Sequence, residues 1–184
     1  SKDGITWTKP KLGIVEFNGS KDNNIILIGE GCSNFSPFKD TRPDCPPESR
    51  YKALASTGDN STRKLKPSLQ AWHSADGLHW SRMREQPVIS AGSFDSQNTA
   101  FYDAELGAYR ACWRYFTGGY TDERGWKPKG VRAIRTATSK DFLTWENQAD
   151  LAYGKEAPVV QLYTNAVRPY ARAPQLLFGF PTRY

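Results

Sequence analysis

The sequence has two histidines, three cysteines and no apolar run longer than Ile25 to Ile28. A helix that crosses a bilayer needs roughly 18 to 20 apolar residues, so no membrane partner is expected. With no Cys-x-x-Cys pair and no histidine cluster, there is no expected metal and no cofactor. His73 and His79 flank one turn and have no nucleophile beside them, which makes both structural or surface residues. Cys32 and Cys45 flank a Pro-rich loop, where they either bridge or stand as two ordinary loop thiols. Cys112 lies in an apolar strand and reads as a small core residue. Residues Ser1 to Trp7 hold neither a basic n-region nor an apolar h-region, so no signal peptide is visible. The opening inside a motif and the close on Phe180 to Tyr184 without a tail read as a piece of a longer protein, and a secreted or periplasmic parent stays open.

Charge of one sign is not concentrated either. The net charge is +6, but the 25 Lys and Arg are scattered. The densest cluster, Arg63-Lys64-Leu65-Lys66, has no basic helix near it and reads as a solvated loop, so no nucleic-acid partner is expected. In contrast, aromatics are plentiful: six Trp, nine Tyr and nine Phe in 184 residues. That composition excludes a disordered chain, and the length suits one domain with an aromatic core.

One pattern occurs three times: Ser1-Lys2-Asp3-Gly4-Ile5-Thr6-Trp7, Ser74-Ala75-Asp76-Gly77-Leu78-His79-Trp80 and Ser139-Lys140-Asp141-Phe142-Leu143-Thr144-Trp145. Ser and Asp side chains bond local backbone amides, Gly supplies a positive φ, and Trp folds back as core, so each copy predicts a β-hairpin corner. With Phe142 in place of Gly, the third turn is expected to differ. Alternating stretches before the second and third corners, at 68–73 and 131–138, predict strands. Further strands are predicted at 50–55, 108–116 and 175–180. Before each of those stands an Asn-led segment: Asn34 to Asp40, Asn98 to Asp103 and Asn165 to Tyr170. Loop insertions are expected at 40–50 and 118–130. The repeating unit is thus four antiparallel strands, which is what a β-propeller blade needs. We expect an all-β chain, a partial propeller of about two complete blades, with a β-sandwich as the alternative. A closed ring needs about four to eight blades. An open edge is aggregation-prone, so homo-oligomerisation that completes the ring is expected.

Through the Ser-x-Asp-Gly-x-x-Trp corner and Ile134 to Asp141, the chain resembles the five-bladed propeller glycoside hydrolases: the arabinanase and β-xylosidase group and the invertase and levanase group. Phe94-Asp95-Ser96-Gln97-Asn98 and Leu162-Tyr163-Thr164-Asn165 look like stretches of uncharacterised bacterial glycosidase-like members. The resemblance implies a funnel at the starts of the innermost strands, a carbohydrate substrate, and hydrolysis by a carboxylic acid and a carboxylate. Carried onto this chain, Asp95, Asp40, Asp103 and Glu156 become the carboxylate candidates. Asn34, Asn98 and Asn165, placed alike in their units, become sugar contacts or structural ties. Tyr163, Arg135 and Arg168 become ligand contacts, and Trp126 a stacking platform. Neither the Asn-Asp-Pro-Asn signature of the invertase group nor an Arg-Asp-Pro occurs, and no Glu is marked as the acid. A carbohydrate-binding propeller without catalysis and a protein-binding propeller therefore stand beside the hydrolase.

Overall fold

The structure, a computed structural model, describes residues 1–32, 34–57 and 68–184. The basic cluster at 63–66 lies outside the described residues. The chain is all-β, and no α-helix occurs among the described residues. Strands β1 (Ser36–Lys39), β2 (Tyr51–Ser56), β3 (Leu69–Ser74) and β4 (Ser81–Arg82) form one antiparallel sheet in sequential order. Strands β5 (Thr99–Asp103), β6 (Ala108–Asp122), β7 (Gly125–Ser139) and β8 (Glu146–Asp150) form a second of the same order. A third, two-stranded sheet joins β9 (Arg168–Tyr170) and β10 (Ala173–Phe178). A short 3-10 helix, Pro47–Ser49, sits in the proline-rich loop between β1 and β2.

The two four-stranded sheets share one register. Tyr51 pairs with the corner Ser74, and Tyr109 pairs with the corner Ser139. Counting from those pairs, Ala53 corresponds to Ala111, Leu54 to Cys112, Leu69 to Ile134 and Trp80 to Trp145. The equivalent residues then fall in successive packing layers. Ala53 and Trp72 pack with Leu27, Phe35 and Trp80, on the side of the first sheet that faces the N-terminal segment. Leu54 and Leu69 meet Ala111, Trp113, Ala137, Phe142 and Trp145 between the two sheets. Cys112 and Ile134 meet Leu162 and Val167 on the far side of the second sheet. Each sheet therefore offers one face to the preceding segment and the other to the following one, a head-to-tail arrangement. The first strands also adjoin in turn, β1 against β5 and β5 against β9.

All three corners have one hydrogen-bond pattern. Asp3, Asp76 and Asp141 each accept two backbone amides, at 2.7 to 2.9 Å. Ser1, Ser74 and Ser139 accept the amides of Gly4, Gly77 and Phe142, each at 2.9 Å. The third turn does not differ in its backbone as expected: φ is 68° at Phe142, beside 75° at Gly4 and 79° at Gly77. A left-handed conformation costs a residue with a Cβ about 1–2 kcal/mol, and full burial of a Phe returns about 1.5–3. Phe142 is 0% exposed and packs edge-on to Tyr109 and Trp145, so burial wins. The difference lies in the indole instead. Trp7 and Trp80 donate to Gly4 and Gly77 carbonyls, whereas Trp145 Nε1 has no partner among the described residues.

The remaining departures from expectation have local causes. Segment 118–130 is not a loop insertion: it belongs to the 15-residue strands β6 and β7, whose hairpin projects beyond the sheet. Pairing continues through a register shift between Phe116 and Gly118. A Cβ at Gly119 (φ +73°) would lie 2.0 Å from the Lys127 carbonyl, so only glycine fits this kink. Trp7, read as core, is 75% exposed, because no strand accompanies the first corner. Cys32, Cys45 and Cys112 are all free thiols. No helix among the described residues is long and apolar enough to cross a membrane.

Candidate functional site

The seventh residue of β6, Arg114, anchors the site. Its side chain is 2% exposed, on the face that β6 turns away from the first sheet. The loop 91–95 runs beside this strand, with Ser93 N donating to the Arg114 carbonyl at 2.8 Å and Gly92 N to that of Thr121 at 2.9 Å. This brings the Asp95 carboxylate, 43% exposed, into an ion pair with Arg114 Nη2. Ser93 Oγ accepts from Arg114 Nε at 3.2 Å and from Nη2 at 2.7 Å, and donates to Asp95 at 3.2 Å. Arg114 Nη1 is buried and has no hydrogen-bond partner among the described residues.

Aromatic rings continue the site outward. The Tyr163 ring lies over the Arg114 guanidinium at 4.5 Å, and its hydroxyl reaches the Asp95 carbonyl at 3.5 Å. Tyr163 stacks on Tyr184, with ring centroids 5.6 Å apart. Arg132 lies over Tyr184 at 4.5 Å and over Phe116 at 5.2 Å, and Phe116 meets the exposed Trp126 edge-on. Next to this strip, Arg132 and Arg183 line a cleft of about 490 Å³ walled by Val131, Leu151, Tyr153 and Val160.

Several predicted residues meet here. Asn98 Nδ2 ties the carbonyls of Phe94 and Ser96, fixing the loop that carries Asp95. Asn165 bonds the carbonyls of Gln97 and Cys112 and accepts from Thr99 Oγ1 at 2.6 Å, which holds the Tyr163 segment against β5 and β6. Both are fully buried ties. The three asparagines are not equivalent as expected: the register matches Ser36 with Thr99, which puts Phe35, not Asn34, at the place of Asn98. Asn34 stands at φ 54° in the turn before β1. Arg168 donates to the Ala100 carbonyl at 3.1 Å, and burial pulls its pKa below the ordinary guanidinium value.

The other candidates lie elsewhere. The Asp40 side chain is wholly covered and bonded to Lys52 Nζ at 2.5 Å and Tyr109 Oη at 2.6 Å. Burial works against its ionisation, but the bonds from Lys52, Tyr109 and the Arg42 amide outweigh it and hold the carboxyl below its usual range. Asp103 pairs with Arg110 at 3.0 Å at the opposite end of β5 from Asp95. In register, Asp103–Arg110 repeats Asp40–Lys52, so the two ion pairs occupy equivalent places in the repeating unit. Glu156 is exposed in the turn closed by Ala157 and Gly154. Arg135 pairs with Asp150 at 2.6 Å over the Tyr115 ring. Burial and the bond to Asp150 push the Tyr115 hydroxyl up to about 12. The four carboxylate candidates are thus held in four separate surroundings, and no second carboxylate bonds to the Asp95 cluster among the described residues. No group of His, Cys, Asp and Glu suited to a metal occurs among them either.

Sequence reading missed Ser93, Arg114, Phe116, Arg132 and Tyr184. The one available signal was Arg114, a charged residue in the predicted strand 108–116 where the first unit has Ser56. No protein-family profile, curated protein or solved structure matches this chain.

Proposed function

We propose that the two four-stranded sheets are consecutive blades of a β-propeller akin to the glycoside hydrolases, and that the Asp95–Arg114 strip is its saccharide-binding mouth. Head-to-tail packing of equivalent faces supports the propeller over a sandwich, since such an interface repeats by rotation and closes into a ring. The serial approach of β1, β5 and β9 supports a shared axis. For the site, one observation carries the reading: a half-exposed carboxylate, oriented by a buried guanidinium, stands beside the partly exposed Tyr163 and the exposed Tyr184. A carboxylate accepts sugar hydroxyls, and aromatic faces cover the apolar side of a pyranose ring.

Hydrolysis needs an acid and a second carboxylate about 5 to 9.5 Å away. Asp95 alone bonds within this cluster, which favours binding as the role of these residues. Calorimetric titration of the full chain with a panel of oligosaccharides tests the reading. Binding that weakens at least tenfold in Asp95→Asn, without loss of fold, is the expected result. A wild-type chain that binds no saccharide overturns it. Turnover of aryl glycosides that Asp95→Asn abolishes would instead make Asp95 a member of a catalytic pair.

The same head-to-tail logic makes a second copy of the chain the partner. The β9–β10 end exposes Leu176, Phe178 and Phe180, and the N-terminal segment exposes Ile5 and Trp7. These are the two outward faces that a repeat of this kind presents to its next neighbours.

A further inference from the structure

We infer that the mouth selects a carboxylated sugar, a uronic-acid residue, over a neutral one. This inference rests on the saccharide reading above and adds the class of sugar. Positive charge exceeds negative along the strip. Arg114 is balanced by Asp95, but neither Arg132 nor Arg183 is ion-paired to a carboxylate among the described residues. Arg132 spends one nitrogen on the amide oxygen of Gln161 at 3.2 Å, and its Nε is buried without a partner among the described residues. Arg114 Nη1 is likewise unpartnered on a side chain that is 98% covered. Two guanidinium groups that face the same Phe116 ring therefore each keep a desolvated, unused donor. A buried donor gains most from a charged acceptor, and the planar guanidinium fork fits the two oxygens of a carboxylate.

The rings complete the match. Each guanidinium lies 4.5 Å over one member of the Tyr163–Tyr184 stack, so charge and sugar-stacking surface are in one place. Tyr163, whose ring lies over the Arg114 guanidinium, also bonds the Asp95 carbonyl at 3.5 Å. Asp95 is the counterweight: it repels a carboxylate at its own end, which sets the acid group toward Arg132 and the sugar hydroxyls toward Asp95.

The test is calorimetry of the full chain with uronic-acid trisaccharides of several backbones, each beside its counterpart with the carboxylates reduced to primary alcohols. The expected result is at least one acid bound tenfold or more tightly than its reduced form. That preference should shrink at 0.5 M salt on the order expected from Debye screening. It should also fall to under about threefold in Arg132→Gln, a partly buried position outside the hydrophobic clusters. Arg114→Gln, checked for fold by circular dichroism, should lose the preference as well. Equal or tighter binding of the reduced sugars overturns the acid preference and leaves the saccharide mouth standing. Binding of neither kind overturns both.

Discussion

Tyr109 of β6 donates its hydroxyl to Asp40 Oδ2 at 2.6 Å, across the junction between the two four-stranded sheets. Lys52 of β2 donates to the same oxygen at 2.5 Å. One covered carboxylate thus joins three elements, and burial together with that bond pushes the tyrosine hydroxyl well above its usual range.

Breaking that junction should be costly, because it leaves a charge out of water without its partner. Asp40→Asn leaves the Lys52 ammonium buried without a counter-charge, for which about 3 to 5 kcal/mol is expected. Tyr109→Phe removes one hydrogen bond to a charged group, worth about 1.5 to 3 kcal/mol. Urea unfolding of the three proteins measures both, and equal stabilities would show that the network carries no energy.

The pH dependence follows from the direction of the Asp40 shift. Its folded pKa lies below the unfolded value of about 3.9, so the stability it supplies is complete above that value. It is lost as pH falls through the folded value. Wild-type stability should therefore drop on acidification below about pH 4, and Asp40→Asn should show a shallower drop over that window. Parallel curves would assign the acid loss to other carboxylates.

Phe142 separates backbone strain from burial. Phe142→Ala and Phe142→Gly both remove the ring from the core, but only glycine also relieves the left-handed strain. Phe142→Gly is expected to be about 1 kcal/mol the more stable of the two. At an ordinary strand position the order would be reversed.

The corners test whether a motif stabilises without its sheet. Asp141→Ala removes a carboxylate that binds two amides beneath the core, and about 1 to 2 kcal/mol is expected. Asp3→Ala, in an exposed corner with no strands, should leave stability close to that of wild type. Equal losses would mean that the first corner is as firmly packed as the third.

Light scattering should give a mass that rises with concentration, and Phe178→Asp should hold the chain as a monomer. A one-chain mass for the wild type at every concentration would rule out a second copy as the partner.

Much of the architecture was legible because it depends on local chemistry. The three corners could be read from Ser, Asp and Trp spacing, since their hydrogen bonds span only two or three residues. Strands β2, β3, β5 and β10 lie within two residues of the expected bounds, since short apolar runs bounded by turn residues mark strands locally. The projecting hairpin was not legible: Gly118, Gly119, Gly125 and Gly130 signal turns, and only cross-strand pairing turns them into kinks of one long ribbon. The sequence named Asp95, Tyr163 and the two buried asparagines, which the fold brings close together, but it did not name Arg114. Its importance arises from Ser93 and Asp95, roughly 20 positions earlier, and from Tyr163, roughly 50 later, and those separations carry no periodic signal.

The sequence by itself determined the all-β class, the repeating unit and the corner turns, because these rest on side chains meeting their own neighbouring backbone. Only the tertiary structure decided which carboxylates are accessible. Asp40, Asp95 and Asp103 look alike in sequence, yet Asp40 is sealed between sheets, Asp103 is locked to Arg110 and Asp95 stands half in solvent. Burial and ion pairing are set by residues distant in the chain, and they decide whether a carboxylate stabilises the fold or meets a ligand.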